Sequence, residues 1–577
     1  MCIRDRGIGS KIFVYTLDTQ QFFENYTTRG FLSSVSPETF IGLGQNKTID
    51  SLKIIWPDQT YQVHKNIPVD RKITIQKDSL KTKKQTSKKS NYLHLKNDSL
   101  VSFIHRDNVS FEFSRDPLVP YASTNLSKSI KVGDLNNDGL DDLIGLGAKG
   151  KQTFLYYQQK DRSFKNIQLD NSENFIINED IDALIIDINN DNLNDLFIVS
   201  GGNEIKKGKP LQPRLYINSK DGLQFKESIF SNYEINASSI KAVDIDNDGD
   251  LDINITSDMI PQQFAASPSQ YIFRNDGNAN FTDISDTFGK PLKNIGNVKD
   301  IIWEDINNNG FLDAILVGHW LAPTLFFNNG KTLTKSTTTF GNNKGWYNSL
   351  KVADFDKDGD LDIIAGNWGL NSRLQASQKQ PIELYLEDFD NNGKTDPILT
   401  YHYQGTKTTL ATKDELVKQL PYLNKEYLSY NAFAKANIED LFSASKLESA
   451  IKKEVTQLAS MYFENNGDLT FKAAPLPLMS QISSVHDIHI EDFNNDGYLD
   501  VILIGNDYEI STQIGRLDSS KGILLINNKN GFFEIEKRSK LNILGASRSI
   551  DTIRVSGTKY YVIGRNNDTP LFLRKDN

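Results

Sequence analysis

Cysteine is almost missing from this chain: its 577 residues hold one, Cys2. An internal disulfide framework and a multi-thiolate metal site are therefore excluded. Histidine is scarce as well, with seven residues, and no G-x-S-x-G, H-E-x-x-H or phosphate-loop pattern occurs. No apolar run approaches the roughly 18 residues of a transmembrane helix, so no transmembrane segment is expected. A formal charge of -9 argues against nucleic acid as a partner. Residues 1–6 lack the apolar core of a secretory signal and fit none of the patterns that follow. They read as a non-native leader on a truncated gene product, with any signal lost upstream.

What the chain has in excess is aspartate at a fixed spacing. The clearest stretch carries Asp354, Asp356, Asp358 and Asp362 at positions 1, 3, 5 and 9, with Gly359 at position 6. A glycine at that point lets a sharp turn gather several oxygens around one hard cation, the coordination that Ca²⁺ prefers. Six variants accompany it. Asp134, Asn136, Asp138 and Asp142 form the first, and Asp187, Asn189, Asp191 and Asp195 the second. Asp244, Asp246, Asp248 and Asp252 form the third, and Asp305, Asn307, Asn309 and Asp313 the fourth. Beyond Asp354 come Asp388, Asp390, Asn392 and Asp396, then Asp492, Asn494, Asp496 and Asp500. A plain Asx turn has no use for mutually repelling carboxylates, so the set points to Ca²⁺ at several sites. The loops at Asp244 and Asp354, with four aspartates each, should hold metal most firmly, and the loop at Asp305 least. Position 12 is never glutamate but Gly145, Ile198, Ile255, Leu316, Ala365, Leu399 or Leu503, which excludes an EF-hand.

Strand signals flank the loops. In the third copy Ser239–Val243 leads in and Leu251–Ile255 leads out, Gln270–Arg274 follows, and a turn at Asn275–Gly277 introduces Asn280–Ile284. Four antiparallel strands per repeat predict propeller blades, seven or eight of them, in a mainly β fold. The loop starts at Asp354 and Asp388 are 34 residues apart, too few for four strands, so the unit at Asp354 is expected to lack its outer strands. The next interval, 104 residues, holds an insertion whose apolar residues recur at helical spacing over 413–459. It is expected to cap one end of the propeller. A metal-free unit from Ile550 to Leu573 is expected to close the ring against Phe111–Phe113.

Ahead of the repeats, residues 7–77 read as a small β module with strands at Lys11–Leu17, Ser51–Trp56 and Lys72–Gln76. Residues 78–91, rich in Lys, Ser and Thr, read as a linker, and 92–577 as the propeller. The stretches Gly7–Lys11, Gly30–Ser33, Phe40–Gly44 and Ile54–Asp58 resemble the ASPIC/UnbV module, found beside β-propeller repeats in secreted bacterial proteins and relatives of cartilage acidic protein. The pattern from Val243 to Ile253 resembles the FG-GAP/VCBS repeat, whose calcium-loop propellers include integrin α heads. Departures are Asn192 in place of the loop glycine, and Asn309 and Asn392 in place of the third aspartate.

The resemblance implies a calcium-stabilised extracellular, periplasmic or cell-surface protein that binds or adheres to a glycan or protein ligand without catalysis. Candidates for ligand contact are His319, Trp320, Trp346, Asn367, Trp368 and Asn371, aromatic and amide groups at blade ends that suit stacking on a sugar. Packing between blades is the competing role for them. A glycan- or polyphenol-acting enzyme and a structural part of an outer-surface complex are the alternatives. No catalytic constellation stands out.

Overall fold

The computed structural model describes residues 7–17, 19–78, 82–84, 95–124, 126–170, 172–337, 340–529, 531–536 and 541–575. The expected leader lies outside this set, as does most of the expected linker. The chain forms two compact units, Met1–Tyr92 and Leu93–Asn577.

In the first unit Lys11–Tyr15 pairs with Gln20–Glu24 on one side and Thr48–Ile55 on the other. Thr60–Pro68 then folds back on Thr48–Ile55 after the turn at Pro57. Its core holds Val14, Leu52, Ile54 and Trp56. The strand expected at Lys72–Gln76 is absent, and its place in the sheet is taken by Thr60–Pro68. Lys72–Thr74 are exposed and no neighbouring strand pairs with them, so nothing satisfies their backbone in a ladder.

In the second unit four antiparallel strands recur. The first strands are Ile130–Gly133, Asp180–Ile186, Ala237–Val243, Asn297–Glu304, Ser349–Ala353, Asp487–Glu491 and Ala546–Val555. We number these sheets one to seven. In the first six, an aspartate loop joins the first strand to the second. The second strands Asp195–Ser200 and Asp252–Ser257 are buried at every position, the latter with Asn254 and Thr256 among its residues. First strands pack side by side in chain order, and that of the seventh sheet packs against that of the first. They carry Lys131, Asp182, Lys241, Asp300, Lys351, Asp487 and Asp551 in turn. Lys131 lies 3.0 Å from Asp182 and Lys241 lies 3.1 Å from Asp300.

The fifth sheet corrects an expectation. It is complete, with Ser349–Ala353, Asp362–Gly366, Met461–Asn465 and Phe471–Pro475 as its strands. The short loop spacing arises because a separate sheet is inserted between its second and third strands. That inserted sheet runs Thr406–Thr409, Asp396–Tyr403, Ile382–Glu387 and Ile451–Val455, and it contains the Asp388 loop. One of its faces, through Leu384, Leu399 and Tyr401, packs on Trp346 and Trp368. The other, through Tyr385 and Ile398, is covered by short helices between Lys413 and Ser449. Helix therefore ends before the expected boundary at 459. Ile451–Val455 is a strand because the open edge of Ile382–Glu387 offers a ladder that the frayed end of a helix does not.

The seventh sheet also differs from expectation. Its outer strand is Leu95–Asp98, paired with Leu571–Lys575. Phe111 instead precedes a one-turn helix, Glu112–Arg115, and is exposed.

Candidate functional site

The aspartate loops share one backbone shape. In the third, the Asp244 carboxylate accepts the N–H groups of Asp248 at 3.2 Å and Gly249 at 3.0 Å. Position 6 is left-handed throughout, with φ between 67° at Asn192 and 98° at Gly359, so Asn192 keeps the turn without glycine. Position 4 is left-handed as well, and is asparagine everywhere but at Lys357. Position 2, for example Ile245 or Phe355, is buried and anchors the loop to the core. Positions 1, 3 and 5 stay at the surface and converge. Oxygens of Asp244, Asp246 and Asp248 lie within 4.8 Å of one another, as do those of Asp354, Asp356 and Asp358, while in the loop at Asp388 the buried position 9, Asp396, joins Asp388 and Asp390 within that distance. These are the residues that could hold a cation.

Residues 187–255 and 305–365 match the FG-GAP-like repeat family, and residues 4–82 match the ASPIC and UnbV family. The chain carries an ASPIC/UnbV domain and FG-GAP-like repeats. The ASPIC/UnbV match begins at residue 4, inside the stretch expected to be a leader. No curated protein matches the chain. Among solved structures it resembles the V. cholerae biofilm matrix protein Bap1 at 11% identity, over 84% of this chain and 91% of that one, with a TM-score of 0.34. It also resembles BBS1N in complex with ARL6DN (10%, 85% and 98%, TM-score 0.36). YCF48 bound to D1 peptide is a third (9%, 83% and 100%, TM-score 0.36). At these scores the superpositions assign neither role nor partner.

Position 9 of the aspartate loops differs from positions 1, 3 and 5. Asp142, Asp195, Asp252, Asp313, Asp362, Asp396 and Asp500 are all fully buried. In Asp252 one carboxylate oxygen accepts the Ile245 N–H at 3.2 Å and the other the Asn275 N–H at 2.7 Å. The same pair of bonds recurs at Asp195, Asp313 and Asp500. Burial pushes Asp142 and Asp252 up to about 7, and Asp195, Asp313, Asp362 and Asp500 up to about 6. Position 9 thus ties its loop to the third strand of its own sheet, except at Asp396, which accepts instead from the side-chain amide of Gln419.

Sequence reasoning missed the partner of that tie. Asn275 also donates through its side-chain amide to Leu251 O in its own sheet and to Ile188 O in the preceding one, at 3.1 and 2.8 Å. Asn218, Asn328 and Asn527 repeat the arrangement, and Gln158 links the first sheet to Arg554 O of the seventh. The signal was present as an asparagine closing the third strand in the second to sixth sheets, of which Asn275 was read as part of a turn.

The six tentative ligand contacts gather at the other end of the strands. Trp320, Trp346 and Trp368 pack edge to face, with Tyr121 against Trp346 and Trp368, and all are buried. Trp320 also lines a cavity of about 330 Å³ with Ser267, Lys344, Glu383 and Lys453. Asn367 is buried too, and its side chain bonds Gln457 O, Ala459 O and the Trp346 N–H. His319 is held between Tyr121 Oη at 2.7 Å and Asn348 Oδ1 at 3.1 Å. Only Asn371 is exposed. The adjoining cavity, lined by Tyr121, His319, His486, Asp507 and Arg548, has a volume of about 20 Å³, room for a water and not for a substrate. Among the described residues no helix is long and apolar enough to cross a membrane.

Proposed function

We propose that the second unit is a closed seven-bladed propeller, stiffened by Ca²⁺ in its aspartate loops, that acts outside the cytoplasm as a binding module for a glycan or a protein. The observation that carries the reading is the convergence of three carboxylates in each of the loops at Asp244, Asp354 and Asp388, set on a scaffold repeated sheet by sheet. Carboxylates held this close repel unless a cation offsets them.

Antiparallel order supports a division of labour. Aspartate loops and the turns between third and fourth strands fall at one end of the strands. Connections between second and third strands fall at the other, and these include 201–213, 258–270, 505–522 and the inserted sheet. Long connections on a rigid frame are where recognition normally resides. The proposed ligand surface is that end.

Extracellular Ca²⁺ modules bind at about 10⁻⁴ to 10⁻³ M. At ten times the dissociation constant, one site adds about 1.4 kcal/mol. Chelation by EDTA is therefore expected to lower the melting temperature and speed proteolysis, and Ca²⁺ to restore both. Unchanged melting and proteolysis after chelation would sink the calcium reading. A glycan and protein array probed with the Ca²⁺-loaded chain tests the binding role. Release of a cleaved product there would replace the module with an enzyme.

A further inference from the structure

A different cluster of ligating side chains lies away from the aspartate loops. His105, Asp107 and Glu179 each present a ligand atom, all within 4.8 Å of one another. His105 is 1% exposed and Glu179 7%, and the Asp107 side chain is 1% exposed. Three distant parts of the chain meet here. Residues 105–107 precede the first sheet, Glu179 stands just before Asp180–Ile186, and Asn567 lies in the turn after Thr558–Asn566.

Protein hydrogen bonds satisfy one oxygen of each carboxylate. Asn567 donates its side-chain amide to Asp107 Oδ2 at 2.8 Å, and the Lys149 N–H donates to Glu179 Oε2 at 2.8 Å. The other two oxygens, Asp107 Oδ1 and Glu179 Oε1, are buried with no hydrogen-bond partner, and so is His105 Nε2. His105 Nδ1 lies 3.6 Å from Asp107 Oδ1, and its contact from the Asn567 N–H is long at 3.4 Å. Among the described residues no lysine or arginine forms an ion pair with Asp107 or Glu179. Two adjacent buried carboxylates with neither a cation nor a donor on their free oxygens are costly, and such groups normally pair or ligate metal.

We propose that His105, Asp107 and Glu179 bind a divalent transition-metal ion of the zinc class. The donor set decides the class: Ca²⁺ and Mg²⁺ prefer oxygen alone, whereas imidazole suits Zn²⁺ and its neighbours. One nitrogen and two carboxylates supply three protein ligands and leave a position for water. An ion here would neutralise both carboxylates and pin the segment before the first sheet to the start of the second. The site is independent of the aspartate loops and does not rest on the calcium reading.

The test uses the full chain saturated with Ca²⁺, so that the aspartate loops do not compete. It is then incubated with Zn²⁺, dialysed against Ca²⁺ buffer and assayed for metal. Wild type is expected to retain one zinc per chain more than H105A and than D107N/E179Q. The amide pair removes the buried charge and keeps the shape, so it folds without the ion, which unchanged melting in Ca²⁺ alone verifies. Co²⁺ in place of Zn²⁺ is expected to give a visible d–d band in wild type that both variants lose. Equal zinc retention in wild type and D107N/E179Q overturns the site. So does a Co²⁺ spectrum that H105A leaves unchanged.

Discussion

A buried aspartate with both oxygens taken by backbone N–H groups behaves differently from an exposed one beside it. Asp252→Asn would turn an amide donor toward either Ile245 N–H or Asn275 N–H, leaving one buried donor unpaired. A loss of about 1–3 kcal/mol is expected in Ca²⁺-free denaturant unfolding. Asn275→Ala, which strips two carbonyls of their donor, should cost a similar amount. If either variant unfolds like wild type, position 9 and its asparagine are not the ties described. At this scale the sequence was half legible. The spacing 1, 3, 5, 9 located every loop and its left-handed turn. Spacing carries no burial, however, so the one position facing inward looked like the three facing out.

Elements were legible where the pattern of one segment decides its state, and illegible where a distant segment does. Strands beside the loops announced themselves, as Ser239–Val243 and Leu251–Ile255 did in the third copy, and the helices by apolar residues at helical spacing after residue 413. Ile451–Val455 did not, because its apolar spacing suits a helix and only the edge of Ile382–Glu387 makes it a strand. Within it Lys453 reaches Ser267 at 3.0 Å and Asn297 at 2.6 Å, joining the inserted sheet to the main array. Burial lowers this amine to about 8 from an ordinary 10.5. Between those values the unfolded chain binds more protons than the folded one, so stability rises with pH across that window. Relative to K453Q, wild type should gain about 1–3 kcal/mol from pH 8 to 10.5 in paired denaturation curves. A flat difference would mean that the amine is solvated.

For the whole second unit, the last sheet depends on one borrowed strand. Leu95–Asp98 comes from the start of the unit and pairs with Leu571–Lys575 at its end. Removing Leu571–Lys575 leaves that early strand without its partner and opens an edge. The truncated chain is expected to melt lower and to be cut early by trypsin near residues 95–98, and resistance equal to wild type would contradict that dependence. Sequence reasoning found the metal-free unit at Ile550–Leu573 yet chose the wrong partner for it. Nothing in a four-residue stretch distinguishes a strand awaiting a partner hundreds of residues away from a loop.

The inward charges of the first strands have a consequence of parity. Lysine and aspartate alternate from Lys131 through Asp182, Lys241, Asp300 and Lys351 to Asp487, and a ring can be two-coloured only if its membership is even. Seven is odd, so two like neighbours must meet, and the mismatch falls on Asp487 and Asp551. Burial raises the Asp551 carboxyl, Lys131 on its other side draws it down, and Asp487 pushes it up again. The mismatch therefore marks a seam between the sixth and seventh sheets, beside the sheet that borrows its outer strand. In native-state hydrogen exchange, amides of Ala546–Val555 should open before those of Ala237–Val243, whose neighbours on the ring are of opposite sign.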